Sequence, residues 1–481
     1  MSIIRALLAL GLAWGLGGCS LAPEYLRPAA PVPRQLSQEG QPVEELALPA
    51  WESFFQEPRL QALIRIALIE NRDLRLAALN VLAARATYGV SQADRYPNLD
   101  LEGQKSVTGG ADKPTAASYE LGLRSGFEVD FFGRLKNMSQ AAFQRYLEAT
   151  EAARAARLSL IAQVTEAYLE TRLSQETLDL TNRTLHSWRA SVAFVERSLI
   201  SGQSTLLDLE MARAQVARAE AAQAAARTNL VRAENALKLL TGQLGQPELP
   251  PAWALADWPR PRLPANIASS ALLNRPDLLE AERSLIASHA DIGVARAAFF
   301  PSLSLTGQFG YMSDQLGSLV AGANSGWSFI PGVSLPLFAG GRNRQNLELA
   351  ETRRDQAVAQ YEKAIQVAFR EVAEALAARP RLAEELSAQR QYLAAQKRVL
   401  ALATDRYQNG VISYLETLSA QRDVLEAEMT AINMRKNQIL NDIQLYLALG
   451  GGDLATATPD PALAPKEEPP KPPRAASGET K

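Results

Sequence analysis

The strongest constraint on the fold is a segment without proline, Arg134 to Leu240, whose helical pattern is interrupted only near Gly202. Residues 134–201 also lack glycine and are rich in Ala, Leu, Glu, Gln and Arg, which all favour helix. A single helix of this length would extend roughly 100 Å at about 1.5 Å per residue. Apolar residues in its second half recur mostly three and four positions apart, at Leu178, Leu185, Trp188, Val192, Val195 and Leu199. We therefore expect a long helical hairpin, capped after its turn by Ser204 or Thr205, whose narrow apolar seam packs against neighbouring helices.

The whole unit occurs twice in the chain. Positions around and after the first turn recur 208 residues later, where Gly202, Leu207, Asp208, Ala219, Glu220 and Gly242 correspond to Gly410, Leu415, Glu416, Ala427, Glu428 and Gly450. The apolar seam follows the same offset, with Leu178, Leu185, Val192, Val195 and Leu199 matching Leu386, Leu393, Leu400, Ala403 and Tyr407. Residues 89–104 match residues 293–308 at an offset of 204. Constant offsets over so many positions indicate a tandem duplication with one insertion.

The second long helix differs from the first by containing Pro380. Proline removes a backbone hydrogen bond and clashes with the preceding turn, so we predict a kink or a break near Ala378.

Ahead of each long hairpin the apolar period changes to two, which is typical of strands. In the first copy, Tyr119, Leu121, Leu123, Phe127 and Val129 alternate with charged or small residues. The second copy repeats this pattern at residues 303–311 and 327–337. The pattern predicts two β-hairpins, at 98–131 and 302–338, with polar loops at 105–118 and 313–326. Helices are predicted at 51–67, 72–96 and 268–300.

The strands bear on whether the chain spans a membrane. No segment after residue 18 approaches the ~20 consecutive apolar residues that a membrane helix requires, so a spanning structure would be a β-barrel. Outer-membrane barrels begin at about eight strands, so four strands cannot close one and several chains would have to share it. Taken alone, the strands fit an ordinary half-buried sheet equally well.

The amino-terminal residues have the layout of a secretory signal peptide. Residues 1–18 contain Arg5, then an apolar run from Ala6 to Leu16, then small residues. The sequence Leu16-Gly17-Gly18-Cys19 resembles the lipobox of bacterial lipoproteins, in which the cysteine is lipidated after cleavage. Cys19 is the only cysteine, which excludes an intramolecular disulfide. In the same resemblance, Ser20 suggests sorting to the outer membrane.

These patterns divide the chain into successive parts. They are a signal peptide (1–18), a lipid-anchored extended segment with a first helix (19–70), the first repeat (71–242, with the helical hairpin 134–242), a proline-rich connector (243–267), the second repeat (268–450, with the helical hairpin 342–450) and a disordered tail (451–481). We expect the connector to fold against the middle of the long helices.

The order of these parts resembles the outer membrane factor family typified by TolC, in particular its OprM-like lipoproteins, over nearly the whole mature chain. The most specific motifs are Phe127-Glu128-Val129-Asp130-Phe131-Phe132-Gly133-Arg134, Asn274-Arg275-Pro276-Asp277, Ala295-Arg296-Ala297-Ala298-Phe299-Phe300-Pro301 and Tyr361-Glu362-Lys363-Ala364-Ile365-Gln366. The resemblance implies an α+β membrane protein that forms a homotrimer. Three chains would share a twelve-stranded β-barrel in the outer membrane and a periplasmic α-barrel of long helical hairpins. It also implies N-palmitoyl and S-diacylglycerol groups on Cys19 and no other cofactor.

The function implied by this resemblance is that of an exit duct in a tripartite multidrug efflux pump. Such a duct passively conducts small molecules from a periplasmic adaptor and an inner-membrane resistance-nodulation-division transporter to the exterior. A duct for type I protein secretion or for metal-ion efflux has the same fold and stays an alternative. A lipid-anchored coiled-coil scaffold without a pore is a third class, which conductance in planar bilayers would separate from a duct.

The same resemblance places the closed end of the tunnel, and adaptor docking, at the two helical turns. The docking residues would be Gly202, Leu207, Asp208, Leu209, Gly410 and Tyr414. OprM-like members have a constriction ring formed by a Leu, an Asp four residues later and an Arg three residues after that. These positions here are Leu415, Ser419 and Arg422. Because the Asp is absent, an ion pair at this gate would need Glu416 or another acid; ordinary helix packing explains Leu415 and Arg422 equally well.

Composition argues against other classes of function. A formal net charge of -2 gives no support to nucleic-acid binding. The only two histidines, His186 and His289, lie far apart in sequence, which disfavours a zinc site or a cysteine-histidine pair. Acidic residues are spread along predicted helices, where they usually form solvated faces, and no phosphate loop or nucleophile motif occurs. We predict that the chain is not an enzyme and holds no metal.

Overall fold

The structure, a computed structural model, describes residues 20–33, 48–110, 113–243, 245, 248–263, 267 and 269–452. The predicted signal peptide, the predicted lipidation site Cys19 and the predicted tail from residue 453 onward lie outside the described residues. The chain divides into two compact units. The first, here the sheet unit, is drawn from Met1–Glu44, Leu79–Ala156 and Asn266–Glu374. The second, here the turn unit, is drawn from Glu45–Ala78, Arg157–Ala265 and Ala375–Lys481.

Helices form most of the described chain. In order they are α1 Trp51–Phe54, α2 Pro58–Glu70, α3 Arg72–Ala93, α4 Arg134–Ile200, α5 Leu206–Thr241, α6 Pro276–Ala297, α7 Arg342–Gln408 and α8 Tyr414–Ala448. Short 3-10 turns lie at Leu255–Asp257, Ser269–Asn274, Leu316–Ser318 and Gly322–Asn324. The two long helices of the repeat, α4 and α7, have 67 residues each. Of the helices within the described ranges, none has an apolar stretch sufficient to traverse a bilayer.

The helix predicted at 51–67 is two helices, α1 and α2. Pro58 occupies the first turn of α2, where a missing amide hydrogen costs nothing, and the buried Glu57 caps the helix by accepting the amide of Leu60. Glu57 also accepts the hydroxyl of Tyr168 (2.7 Å) and the amide of Trp253 (3.2 Å). The connector is thus fixed to the turn unit by a buried carboxylate.

The four strands, β1 Asp100–Gly110, β2 Lys113–Val129, β3 Ser302–Ser313 and β4 Ser325–Ser334, form one antiparallel sheet in the order β1-β2-β3-β4. Both predicted hairpins are confirmed, and β2 also pairs with β3, so the two copies contribute to the same sheet. The polar loop predicted at 105–118 is wrong, because β1 continues to Gly110 and β2 begins at Lys113. This stretch of β1 contains Val107 and Thr108, which favour strand, and its cross-strand backbone hydrogen bonds form whatever the polarity of the side chains.

The apolar period of two places apolar side chains in a row that crosses all four strands. Leu101 lies opposite Leu123, which lies opposite Phe309, which lies opposite Trp327. Their side chains are 71%, 43%, 56% and 78% exposed within the single chain. The sheet unit therefore presents one apolar face that its own residues leave uncovered.

Of the two outcomes predicted for Pro380, a break does not occur, because α7 continues through it to Gln408. Tertiary hydrogen bonds hold the helix where proline removes a backbone bond. One turn earlier, the side-chain amide of Asn441 donates to the carbonyl of Ala375 (3.0 Å). The preceding residue, Arg379, donates to the carboxylate of Asp442 (2.8 Å) and to the carbonyl of Leu263 (3.0 Å). The ring of Pro380 itself is exposed.

Candidate functional site

The two helical turns predicted as the closed end of the tunnel terminate α4 and α7 in the same way. Gly202 (φ 77°) and Gly410 (φ 71°) have the left-handed backbone conformation that a side chain disfavours. In each turn the glycine amide donates to the carbonyl three residues earlier, and the next amide donates to the carbonyl five residues earlier. These four bonds are Gly202 to Leu199 (3.0 Å), Gln203 to Ser198 (2.8 Å), Gly410 to Tyr407 (2.9 Å) and Val411 to Arg406 (2.8 Å). This is the Schellman arrangement, which satisfies carbonyls left free at a helix end.

The helices that follow the two turns begin differently. Thr205 caps α5 through a capping box, because its side chain accepts the amide of Asp208 (3.2 Å) and the Asp208 carboxylate accepts the amide of Thr205 (2.9 Å). Thr205 is thus the cap, rather than Ser204. At the equivalent position of α8, Ser413 makes no side-chain cap bond, and its hydroxyl lies 3.4 Å from the Glu416 carboxylate. Asp208 therefore stabilises the start of α5 through the capping box, whereas the start of α8, near Glu416, has no such cap.

An apolar cluster packs the turns of the two copies together. Its buried members are Val195, Leu209, Ala212, Tyr414 and Leu418, with Val192, Leu199, Met211 and Tyr407 half-buried around them. Leu209 and Tyr414, two of the residues predicted to dock a partner, are only 5% and 3% exposed. Their side chains are core residues of the turns in this conformation. Burial, followed by the neighbouring Tyr407 and Asp208, raises the pKa of Tyr414 to about 12.

Hydrogen bonds also join the first copy to the second across this cluster. The hydroxyls of Ser204 and Tyr407 lie 2.9 Å apart, and Nε of Arg422 donates to Oε1 of Gln215 at 3.0 Å. Sequence reasoning named Ser204 only as a possible helix cap within the first turn, and it did not identify Gln215 or Tyr407 as site residues. A signal existed for Tyr407, because it replaces the seam residue Leu199 of the first copy with a side chain that carries a hydroxyl.

The predicted gate residues lie along one side of α8. Leu415, Ser419 and Arg422 follow one another at spacings of four and three, which places them on one helix face. Leu415 is 56% exposed, and Glu416, Ser419 and Arg422 are also exposed. The partner of Arg422 is an amide oxygen rather than an acid. The remaining docking residues, Gly202, Leu207 and Gly410, are exposed at the turns, and Asp208 is half-buried.

Ion pairs occur at equivalent positions of the two long helical hairpins. Arg189 pairs with Glu220 at 2.6 Å, and at the offset of 208 Lys397 pairs with Glu428 at 2.5 Å. Arg189, Lys397 and Glu220 are about half exposed at the side chain, so each pair contributes at most about 1 kcal/mol. The pairs align the two helices of each hairpin more than they stabilise it.

The two histidines occupy unrelated positions. His186 is exposed on α4, whereas the ring of His289 on α6 packs edge-on against Tyr25, with 5.6 Å between ring centroids. Burial, then the charge of Arg354, lowers the pKa of His289. Across the described ranges, no group of three or more His, Cys, Asp or Glu side chains is placed to hold a metal ion.

Comparison with known proteins identifies what this architecture is similar to. The cation efflux system protein CusC from Escherichia coli strain K12 is 44% identical over 454 residues, which cover 93% of this chain and 99% of CusC. The solvent efflux pump outer membrane protein SrpC from Pseudomonas putida is 42% identical over 451 residues, covering 91% and 96%. The crystal structure of the open state of the Neisseria gonorrhoeae MtrE outer membrane channel matches with a TM-score of 0.83 and 36% identity, covering 90% of this chain and 98% of MtrE.

The sequence profile of one family, outer membrane efflux protein, matches residues 63–243 and again residues 267–451. The double match confirms the internal repeat, and the structural match confirms the fold of long helical hairpins with two β-hairpins. The chain therefore belongs to the outer membrane efflux protein family and is an outer-membrane channel protein with a periplasmic tunnel.

Proposed function

We propose that this chain is the exit duct of a tripartite efflux system and that it works as a homotrimer. The sheet supports this oligomeric state. In the single chain β1 and β4 are paired on one side only, and the apolar row from Leu101 to Trp327 is uncovered. Unpaired strand edges are unstable in lipid, and joining three four-stranded sheets edge to edge pairs them, while lipid itself covers the apolar face.

We infer that the two helical turns form the closable end of the duct. The observation that carries this inference is a pair of hydrogen bonds across the turn cluster, one between the hydroxyls of Ser204 and Tyr407 and one donated by Arg422 to Gln215. The neutral bond between Ser204 and Tyr407 contributes about 0.5–1.5 kcal/mol net, and the bond donated by the charged Arg422 contributes about 1.5–3 kcal/mol. A partner that binds the turns can therefore separate the two copies without unfolding either hairpin.

We infer that a periplasmic adaptor docks on the exposed tips of the turns. Apolar side chains cluster there, since Ile200, Leu206, Leu207 and Val411 are 88%, 64%, 68% and 59% exposed. Exposed apolar residues gathered at one place favour a protein partner. The adaptor would connect the duct to an inner-membrane transporter of the resistance-nodulation-division type, which supplies the energy. The duct itself is passive and performs no catalytic step.

The cargo we propose is small molecules, as in multidrug or solvent efflux, and the similarity to SrpC supports it. Metal-ion efflux is the second candidate, because the chain is also 44% identical to the cation efflux protein CusC. Growth of a deletion strain complemented with this chain, on toluene and on silver or copper salts, distinguishes the two. Rescue confined to the metal salts would replace the first candidate with the second.

We propose that Cys19 carries the N-palmitoyl and S-diacylglycerol groups of a lipoprotein. The support is the signal-like run of residues 1–18 followed by the lipobox and the single cysteine. The groups would hold the amino terminus at the outer membrane in addition to the strands.

The gate is tested by the double variant Leu415→Ala with Arg422→Ala. We expect a higher resting conductance in planar bilayers and greater sensitivity of cells to vancomycin, because the apolar side chain and the bond to Gln215 are both lost. The matched control is Leu402→Ala with Arg398→Ala, since these residues are exposed on α7 upstream of the turn. Permeability equal to wild type in the first variant would remove Leu415 and Arg422 from the gate. Crosslinking in cells, followed by purification, identifies the adaptor and the transporter.

A further inference from the structure

A groove of about 450 Å³ lies in the turn unit, beside the connector and between α7 and α8. Its lining includes Arg260, Ser387, Arg390, Gln391, Arg435 and Gln438. Three of these six side chains are guanidinium groups, and the other three can donate hydrogen bonds. The groove takes no part in the turns, the gate residues or the sheet.

The innermost of the three arginines is held in a fixed position. Arg435 is 9% exposed and donates to the carbonyls of Leu255 (3.0 Å) and Trp258 and to Oε1 of Gln438 (2.5 Å). All of these partners are neutral, so they hold the guanidinium group of Arg435 in place without neutralising its charge. Burial lowers the pKa of Arg435, and the positive charges of Arg390 and Arg260 lower it further. The three cations are therefore close enough to repel one another.

The nearby carboxylate does not cancel this charge. Asp442 favours the charged form of Arg435 but is itself 3% exposed and already bound by two other arginines. Arg379 donates to it at 2.8 Å, and Arg260 lies 3.7 Å from its second oxygen. One buried carboxylate thus serves Arg379, Arg260 and Arg435, while the groove itself is lined by three arginines and no acidic residue.

Arg390 supplies the charge that faces solvent. It is exposed, and it makes no hydrogen bond or ion pair with any part of the chain that the structure describes. The duplication does not explain its presence, because the position 208 residues earlier is Asn182, and Leu230 stands where the second copy has Gln438. The groove between α4 and α5 in the first copy, about 510 Å³, is lined by Glu170 and Arg232 instead. Arg435 has a counterpart in Arg227 of the first copy, so Arg390 and Gln438 are what distinguish the groove of the second copy.

We propose that this groove binds the carboxylates of the acidic peptides of the cell wall, through which a periplasmic tunnel must pass. Guanidinium groups recognise carboxylates with two parallel hydrogen bonds, and Arg390 is unoccupied while Arg260 is only partly engaged. The groove is open to solvent, so it admits a group that projects from a large polymer. Ser387, Gln391 and Gln438 add donors for the peptide backbone. The contact would hold the channel at a fixed place in the wall without affecting conduction.

The test uses the full-length protein purified in detergent and measures its co-sedimentation with purified peptidoglycan sacculi. Arg390→Gln removes one unpaired charge, and we expect it to weaken binding roughly three- to fivefold. The matched control is Arg381→Gln, an exposed arginine on the same helix nine residues away, which places it on the opposite face. Chemical amidation removes the carboxylates of the sacculi. Wild-type protein should therefore bind amidated sacculi no more tightly than Arg390→Gln binds unmodified sacculi.

Several results would overturn the proposal. Binding that is equal for wild type and Arg390→Gln, or equal for native and amidated sacculi, would show that the groove does not recognise wall carboxylates. Titration with inorganic phosphate is a further measurement. If Arg390→Gln weakens the binding of phosphate but leaves the binding of sacculi unchanged, the groove is a site for small anions instead. Oligomeric size in gel filtration and conductance are measured on each variant. Both should equal wild type, which separates a failure of this proposal from a failure of the proposed duct.

Discussion

The hydrogen bond between Tyr407 and Ser204 offers the sharpest test of the proposed gate at the two turns. Tyr407→Phe removes the hydroxyl that lies 2.9 Å from that of Ser204 and keeps the ring that packs against the turn cluster. Both side chains are half-buried, so Ser204 can bond to water after the change. The net loss is therefore about 1 kcal/mol in each chain, which is about fivefold in the ratio of closed to open turns.

In the proposed homotrimer the turns of the three chains would open together, so the losses from the three bonds, one in each chain, add. The sum of about 3 kcal/mol corresponds to roughly a hundredfold shift toward the open state. Single-channel recording in planar bilayers measures this shift as open probability at rest. Tyr392→Phe is the matched control, because Tyr392 is 49% exposed on the same helix and forms no hydrogen bond with described residues.

Substitutions of the two partners should not have additive effects. Ser204→Ala should raise open probability about as much as Tyr407→Phe, and the double variant should add little to either single variant, because one bond is lost in all three. Additive effects in the double variant would show that the two hydroxyls act separately. Open probabilities equal to wild type in both single variants would refute the assignment of this bond to the gate.

Three further predictions concern the helix caps, the anchor and the amino-terminal segment. Thr205→Ala should destabilise the first turn by about 1 kcal/mol through loss of its capping box, and Ser413→Ala should cost clearly less, as measured by hydrogen exchange of the turn amides; equal losses would contradict the asymmetry. Cys19→Ser should abolish labelling with palmitate, and persistent labelling would overturn the lipid assignment. Burial alone would raise the pKa of Glu282, but bonds from Arg27 (2.6 and 2.7 Å) and Tyr25 (2.9 Å) outweigh it and leave the pKa lowered. This contact therefore stabilises the segment 20–33 at neutral pH. The stabilisation is lost as the pH falls below the usual range of glutamate. Proteolysis of this segment should therefore accelerate on acidification in wild type but not in Glu282→Gln.

The sequence by itself determined the features that depend on neighbours within a few residues. Gly202 and Gly410 marked both turns, because only a residue without a side chain readily takes a positive φ after a long helix. The period of two marked all four strands, and the offset of 208 marked the duplication. These signals are local in the chain, so they can be read without knowing what packs against them.

Only the tertiary structure decided which residues meet across the duplication. It continued α7 through Pro380, because Asn441 and Asp442 bind the residues around it, and it extended β1 through a stretch that reads as a loop. It buried Tyr414, which sequence reasoning had placed at an exposed tip, and paired Arg422 with Gln215. The contacts around Pro380 and Arg422 join residues 63 to 207 positions apart, and the extension of β1 depends on pairing with β2, as between Val107 and Ala117. Side-chain spacing records the period of an element, whereas the identity of a distant partner is fixed only when the elements pack.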